Sequence, residues 1–148
     1  MLFRSKINKS RLFNQGFETV EYLAASLLDM KYHTLTEPQD LDIDKFEADY
    51  LNTIGLIPEI ISRYRSTYFT HIIGGYAAGY YSYIWSGVLD CDAFEAFVET
   101  SLFDAKTADA FRTHVLEVNG TVDPAVMYRN FRGRDPKIEP LLKQRGLN

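Results

Sequence analysis

The chain is poor in the residues from which most simple sites are built. It has one cysteine, Cys91, so no internal disulfide is open to it and no oxidising compartment is required. Cys91 stands between Asp90 and Asp92, whose charges disfavour the thiolate that a nucleophile needs. No CxxC pair exists, and His33, His71 and His114 are too widely spaced for HExxH, which sets two metal ligands on one helical turn. There is no GxSxG elbow and no Walker loop, and "GGYAAG" lacks the order of a dinucleotide fingerprint. No apolar run approaches transmembrane length, and "MLFRSKINKSRLF" has no apolar core of a secretory signal. Positive charge is not in excess either. The 16 Lys and Arg face 20 Asp and Glu, a net charge of −4, which argues against a general nucleic-acid binder. The expectation is a soluble, cytoplasmic protein with neither nucleic acid nor membrane as a partner.

What is present suits a helical protein that buries a core. The 148 residues are 46% apolar and 24% charged, the size of one ordinary domain or of a piece of a larger one. Phe17, Val20, Ala24, Leu27 and Lys31, with Leu23 and Leu28 beside them, recur at helical steps and predict a helix over residues 17–33. Phe46, Tyr50 and Ile54 predict a shorter one that Gly55 stops, and "IPEIISRYRS" has room for another turn or two. "DAFEAFVE" is expected to bury Phe94, Phe97 and Val98, and Asp104 to cap the segment after it. Asp123, Pro124 and Gly133 bracket another helix, and Asp135, Pro136 and Gly146 repeat that grammar. No β-alternation competes, so the class is all-α, one helical region over residues 1–148.

The stretch "HIIGGYAAGYYSYIW", residues 71–85, stands apart. It holds four tyrosines, a tryptophan, three glycines and a histidine, with no Asp, Glu, Lys or Arg. Adjacent Gly74 and Gly75 suggest a loop, and a helix is expected from Tyr76 or Ala77 to about Leu89. On that helix Tyr76, Tyr80 and Tyr83 fall at i, i+4 and i+7, one face of phenols beside an apolar stripe of Ala77, Tyr81, Ile84 and Val88. Two readings stand side by side. Aromatic stripes at helical spacing are usually core, and His71 is then a satisfied loop or cap histidine. Alternatively, phenols and an imidazole line a cleft and donate hydrogen bonds to a carbonyl or an oxyanion. Spacing does not decide between them.

Three blocks carry a resemblance. "FNQGFETVEYLAASLLDMKYHTL", "YRSTYFTHIIGGYAAGYYSYIWSGVLDCDAFEAF" and "GTVDPAVMYRNFRGRDPKIEPLLKQRGL" resemble, in order, the C-terminal part of the zinc-peptidase family of thimet oligopeptidase and peptidyl-dipeptidase Dcp, closest in wording to the Dcp branch. The likeness runs from about Phe13 to Leu147. It implies an all-α catalytic region, hydrolysis of short peptides by a zinc-activated water, and an HExxH glutamate as general base. It implies that Tyr76 and Tyr83 hydrogen-bond the scissile carbonyl and its transition state. His71 and Tyr80 then contact substrate, and Gly74 and Gly75 form a mobile loop. In the family the metal ligands and the base lie upstream of the matched blocks. The expectation is therefore a C-terminal fragment, with no zinc of its own and no hydrolysis alone, that supplies one wall of the site. Its expected partners are short peptides and the missing upstream portion, with self-association through an apolar cut surface. The alternative is a non-catalytic helical module that keeps a peptide- or partner-binding surface.

Overall fold

The computed structural model describes residues 2–147, apart from the side chain of Leu2. The described residues are helical and contain no strand. Seven α-helices follow in order: α1 (Leu2–Arg11), α2 (Gln15–His33), α3 (Ile43–Thr53), α4 (Ser82–Glu99), α5 (Ala105–Phe111), α6 (Pro124–Arg132) and α7 (Glu139–Arg145). Two 3₁₀ turns, Ser66–Tyr68 and Thr70–Ile73, lie between α3 and α4, and α5 runs into a π-helical turn, Arg112–Leu116. The chain divides into two compact units, Met1–Tyr83 and Ile84–Asn148, each described by itself below.

In the first unit, α2 and α3 flank the 3₁₀ turns. Asp42 caps α3, its carboxylate accepting from the Lys45 N–H at 3.0 Å. Gly55, at φ 74°, closes the exit in the left-handed conformation that glycine adopts without a Cβ clash. The core here is Ala25, Phe69, Ile72 and Tyr80, with Tyr22, Tyr32 and Tyr64 packed around it. The buried face of α2 is narrow, carrying Ala24, Ala25, Leu28 and Asp29. The wide apolar stripe expected on this helix is therefore only partly covered. Val20, Leu23, Leu27 and Met30 are exposed along one side. Residues 57–64 form turns and bends rather than the extra helical turns expected. In that segment Ser62 folds back to donate to the Tyr64 carbonyl at 2.7 Å.

In the second unit, Val88, Cys91 and Leu141 pack together with Ile84 against them. The separate short helix expected at "DAFEAFVE" does not exist; α4 continues through it to Glu99. Asp92, at the start of that segment, is turned inward. Its Oδ1 and Oδ2 accept a bidentate pair from Arg134 at 2.7 and 2.9 Å, and the Tyr128 hydroxyl donates to Oδ2. Arg132 is held by Glu99 at 2.9 and 3.0 Å. Because the buried face of α4 carries Val88, Cys91, Asp92 and Ala96, Phe94 and Val98 are exposed and Phe97 is half-buried, against expectation. Asp104 caps α5 and Asp123 caps α6, with Pro124 in its first turn and Gly133 left-handed past its end. Asp135 does not start α7. Its carboxylate is taken by Arg129 at 2.7 Å, and α7 begins at Glu139 with Pro140 in its first turn.

Burial alone would push the Asp92 carboxyl up, but the bonds from Arg134 and Tyr128 and the charge of Arg132 outweigh it and hold it below its usual value. A group depressed in the folded state contributes stability above its unfolded pKa of about 3.9 and loses it as pH falls through the folded value. Asp92→Asn should therefore destabilise this unit at pH 7 by about 3 kcal/mol, because it strands arginines built around a carboxylate. It should also flatten the loss of stability below about pH 4. Urea unfolding followed by Trp85, the sole tryptophan, at pH 7 and pH 3 measures both effects.

Candidate active-site wall

The site residues inferred from sequence all fall in the first unit, and His71 is the hub that joins them. It sits on the second 3₁₀ turn. Its ring centroid lies 5.1 Å from Tyr64, 5.1 Å from Tyr80, 5.7 Å from Phe69, 5.9 Å from Tyr76 and 6.2 Å from Tyr83. Most of these contacts are edge-to-face, the arrangement that sets a ring's positive edge on its neighbour's negative face. The His71 Nδ1 is buried and has no hydrogen-bond partner. A buried polar atom left alone is uncommon and marks a place where a further group can be received.

The expected helix through Tyr76 and Tyr80 is absent. Residues 74–81 form a run of turns, and α4 begins only at Ser82. Two causes act together. Gly74, Gly75 and Gly79 weaken a helix by their backbone freedom. More specifically, the amides that would close helical bonds are taken elsewhere: Ala78 N–H donates to Asp29 Oδ1 and Tyr80 N–H to Asp29 Oδ2, both at 2.9 Å. Ala78 is left-handed at φ 56°, a conformation a residue with a Cβ holds only where its surroundings impose it.

The turns nevertheless bring the phenols together. Tyr76 and Tyr83 stack at 5.3 Å with planes 17° apart, and each is 46% exposed. The Tyr83 hydroxyl is pushed up, first by its hydrogen bond with Tyr76 and then by partial burial, so it stays protonated at ordinary pH. Tyr80 differs. It is 3% exposed, edge-on to Phe69 at 4.9 Å, and burial pushes its phenol up to about 12 against the lowering influence of Arg63. Tyr22 stacks on it at 5.2 Å and donates its hydroxyl to the Tyr80 carbonyl. Gly74 and Gly75 lie exposed between His71 and Tyr76, and a Cβ on Gly75 would meet nothing within 4 Å.

Sequence reasoning missed four supporting residues. Asp29 is fully buried, and its Oδ1 also lies 2.9 Å from Nδ1 of His33. Glu47 holds the entry to the 3₁₀ turns. Its carboxylate accepts from the N–H and hydroxyl of Ser66 at 2.7 and 2.6 Å and pairs with Arg65 at 2.6 Å. Tyr64 backs His71, and Arg63 lies over the rings of Tyr22 and Tyr64 at 5.8 Å from each. The one available signal was LLDMKYH itself, where an aspartate sits on the buried face of an otherwise apolar helix.

Among the described residues no three His, Cys, Asp or Glu side chains converge into a metal-holding group. His33 is committed to Asp29, and His71 is ringed by aromatics. No helix of the described residues is long and apolar enough to cross a membrane.

Comparison with known proteins gives this arrangement a context. The model of Peptidase family M3 matches residues 3–147. The chain is similar to dipeptidyl carboxypeptidase of Escherichia coli K12, 43% identical over 98% of this chain and 22% of that protein. Oligopeptidase A of the same organism is 34% identical over 96% of this chain and 21% of its own length. The organellar oligopeptidase A of Arabidopsis thaliana is 37% identical over 96% and 19%. The chain thus spans about a fifth of the length of the curated relatives it matches.

Replacing Asp29 by Asn removes the charge that collects the two turn amides. Charge-assisted bonds of this kind contribute about 1.5–3 kcal/mol, so the amides of Ala78 and Tyr80 should exchange with solvent roughly 10- to 100-fold faster. Hydrogen exchange read by NMR checks this. Unchanged protection would show that the turn holds its shape without Asp29.

Proposed function

For a chain that belongs to peptidase family M3, we propose that its role is to supply the substrate-binding and transition-state-stabilising wall for hydrolysis of short peptides. The observation that carries this reading is the exposed Tyr76–Tyr83 stack standing beside a histidine with an unpartnered ring nitrogen. Phenol hydroxyls side by side are hydrogen-bond donors. Aimed at a peptide carbonyl, they strengthen their bonds as that oxygen gains charge in a tetrahedral intermediate, which lowers the barrier rather than merely binding substrate. Tyr76 and Tyr83 take that role. His71 contacts the peptide backbone, and Gly74 and Gly75 let the connecting loop close around it. Tyr80 is the innermost member, and its buried ring sets the height of the other two.

The names of the relatives, dipeptidyl carboxypeptidase and oligopeptidase A, describe enzymes that act on peptides, and this chain aligns with about a fifth of each. Zinc, the water it activates and the general base belong, in this reading, to a complementary peptidase portion, since the donors here do not suit the metal. The chain alone is then inactive, an active site assembled from two parts having no function without its central members. The exposed stripe of Val20, Leu23, Leu27 and Met30 on α2 supports docking of that portion, and in its absence the same stripe favours self-association. The compartment in this reading is the cytoplasm.

The test is reconstitution. The chain is co-expressed with the part of the Escherichia coli dipeptidyl carboxypeptidase that lies N-terminal to the matched region, and cleavage of a short peptide is followed. Tyr76→Phe and Tyr83→Phe should each lower kcat by about 10²–10³-fold, the cost of one oxyanion donor, with KM changed far less. Full activity in both variants would remove these residues from the mechanism.

A further inference from the structure

Charge is segregated along the first unit. Residues 1–17 carry Arg4, Lys6, Lys9 and Arg11 and no Asp or Glu, whereas residues 37–49 carry six acidic residues against the single base Lys45. The basic group lies on α1, and the acidic one on α3 and the segment that leads into it. Among the described residues, none of the four α1 cations meets a carboxylate. Part of the acidic group is spent inside the unit. Asp42 caps α3, Asp44 and Glu47 hold Arg65, and Asp49 takes Lys45 at 2.6 Å. Glu37 and Asp40 are exposed and pair with no cation among the described residues.

α1 also lacks packing to hold it. Every residue from 3 to 14 is exposed. A helix of 10 residues is marginal in water by itself, because few hydrogen bonds follow the costly first turn. No acidic residue stands in its first turn to complement the positive end. A helix this short and this bare needs a surface to lie on. Helical geometry sets Phe3 and Ile7 one turn apart on one face, with Lys6 on one flank and Arg4 and Arg11 on the other. The surface that fits it is an apolar spot rimmed by carboxylates, the layout of a small interface. The segment around Ile43, which is itself exposed between Asp42 and Asp44, supplies one.

We propose that α1 of one copy of the chain docks on the acidic segment, residues 37–49, of a second copy, and that the pairing is reciprocal. A unit that carries both patches is complementary to itself, so a two-fold dimer gives each α1 the other copy's carboxylates. This contact differs in kind from association through the apolar stripe of α2. Opposite charges drive it, so salt screens it. The dimer and the peptide wall use different residues and stand or fall separately.

The experiment follows the whole chain by sedimentation velocity over a range of concentrations. Raising NaCl from about 0.05 M to about 0.5 M, which shortens the screening length roughly threefold, should weaken the dimer at least about tenfold. Two charge reversals, Lys6→Glu with Lys9→Glu and Glu37→Lys with Asp40→Lys, alter only exposed side chains. Each should weaken its own dimer at least about tenfold, since like charges then face one another. An equal mixture of the two should restore a mixed dimer near the affinity of the unchanged chain, a recovery that a misfolded variant would not show. A chain that stays monomeric at every concentration overturns the proposal. So do reversals that leave association unchanged, or a mixture that fails to pair although both variants keep the circular dichroism of the unchanged chain. Association that salt does not weaken overturns it as well and assigns the contact to the α2 stripe.

Discussion

The carboxylate of Asp29 has no access to water, so each of its oxygens must be met by a donor inside the protein. The donors it finds are backbone amides from the far side of the unit, Ala78 and Tyr80, and Nδ1 of His33, one turn along its own helix, lies 2.9 Å from Oδ1. That choice determines the shape of the phenol surface. An amide bound to a carboxylate is withdrawn from helix formation, so the chain turns where its sequence would otherwise coil. Ala78 is driven into the left-handed region as a consequence. Tyr76 is carried back against Tyr83, and Tyr80 is pressed down onto Phe69. On the proposed reading of this surface, donors that must stay put before a substrate arrives benefit from an anchor whose oxygens are already met inside the protein.

The second unit resolves a similar problem with different chemistry. Asp92 is as deeply buried as Asp29, but its partners are side chains: the fork of Arg134, the hydroxyl of Tyr128 and the nearby charge of Arg132. Side-chain partners leave the backbone of α4 intact, and the helix passes through Asp92 without a break. Backbone partners at Asp29 reshape the segment they come from. One buried aspartate therefore acts as a clamp between helices, and the other as a template for a turn.

This contrast explains how much was legible in the sequence. The helical class, the long α2, and the caps at Asp104 and Asp123 follow from local rules, and the structure agrees with them. The membership of the phenol group was also legible, because four tyrosines near one histidine remain neighbours in a helix or in a series of turns. The geometry of that group was not. Helical spacing placed Tyr76, Tyr80 and Tyr83 on one face, whereas the turns expose two and bury the third. The deciding partner is 49 residues away from Ala78, and no local pattern announces it. The same limitation accounts for Asp135 and Phe94. Asp135 is diverted from its cap by Arg129, and Phe94 lies beside, rather than on, the face that α4 buries.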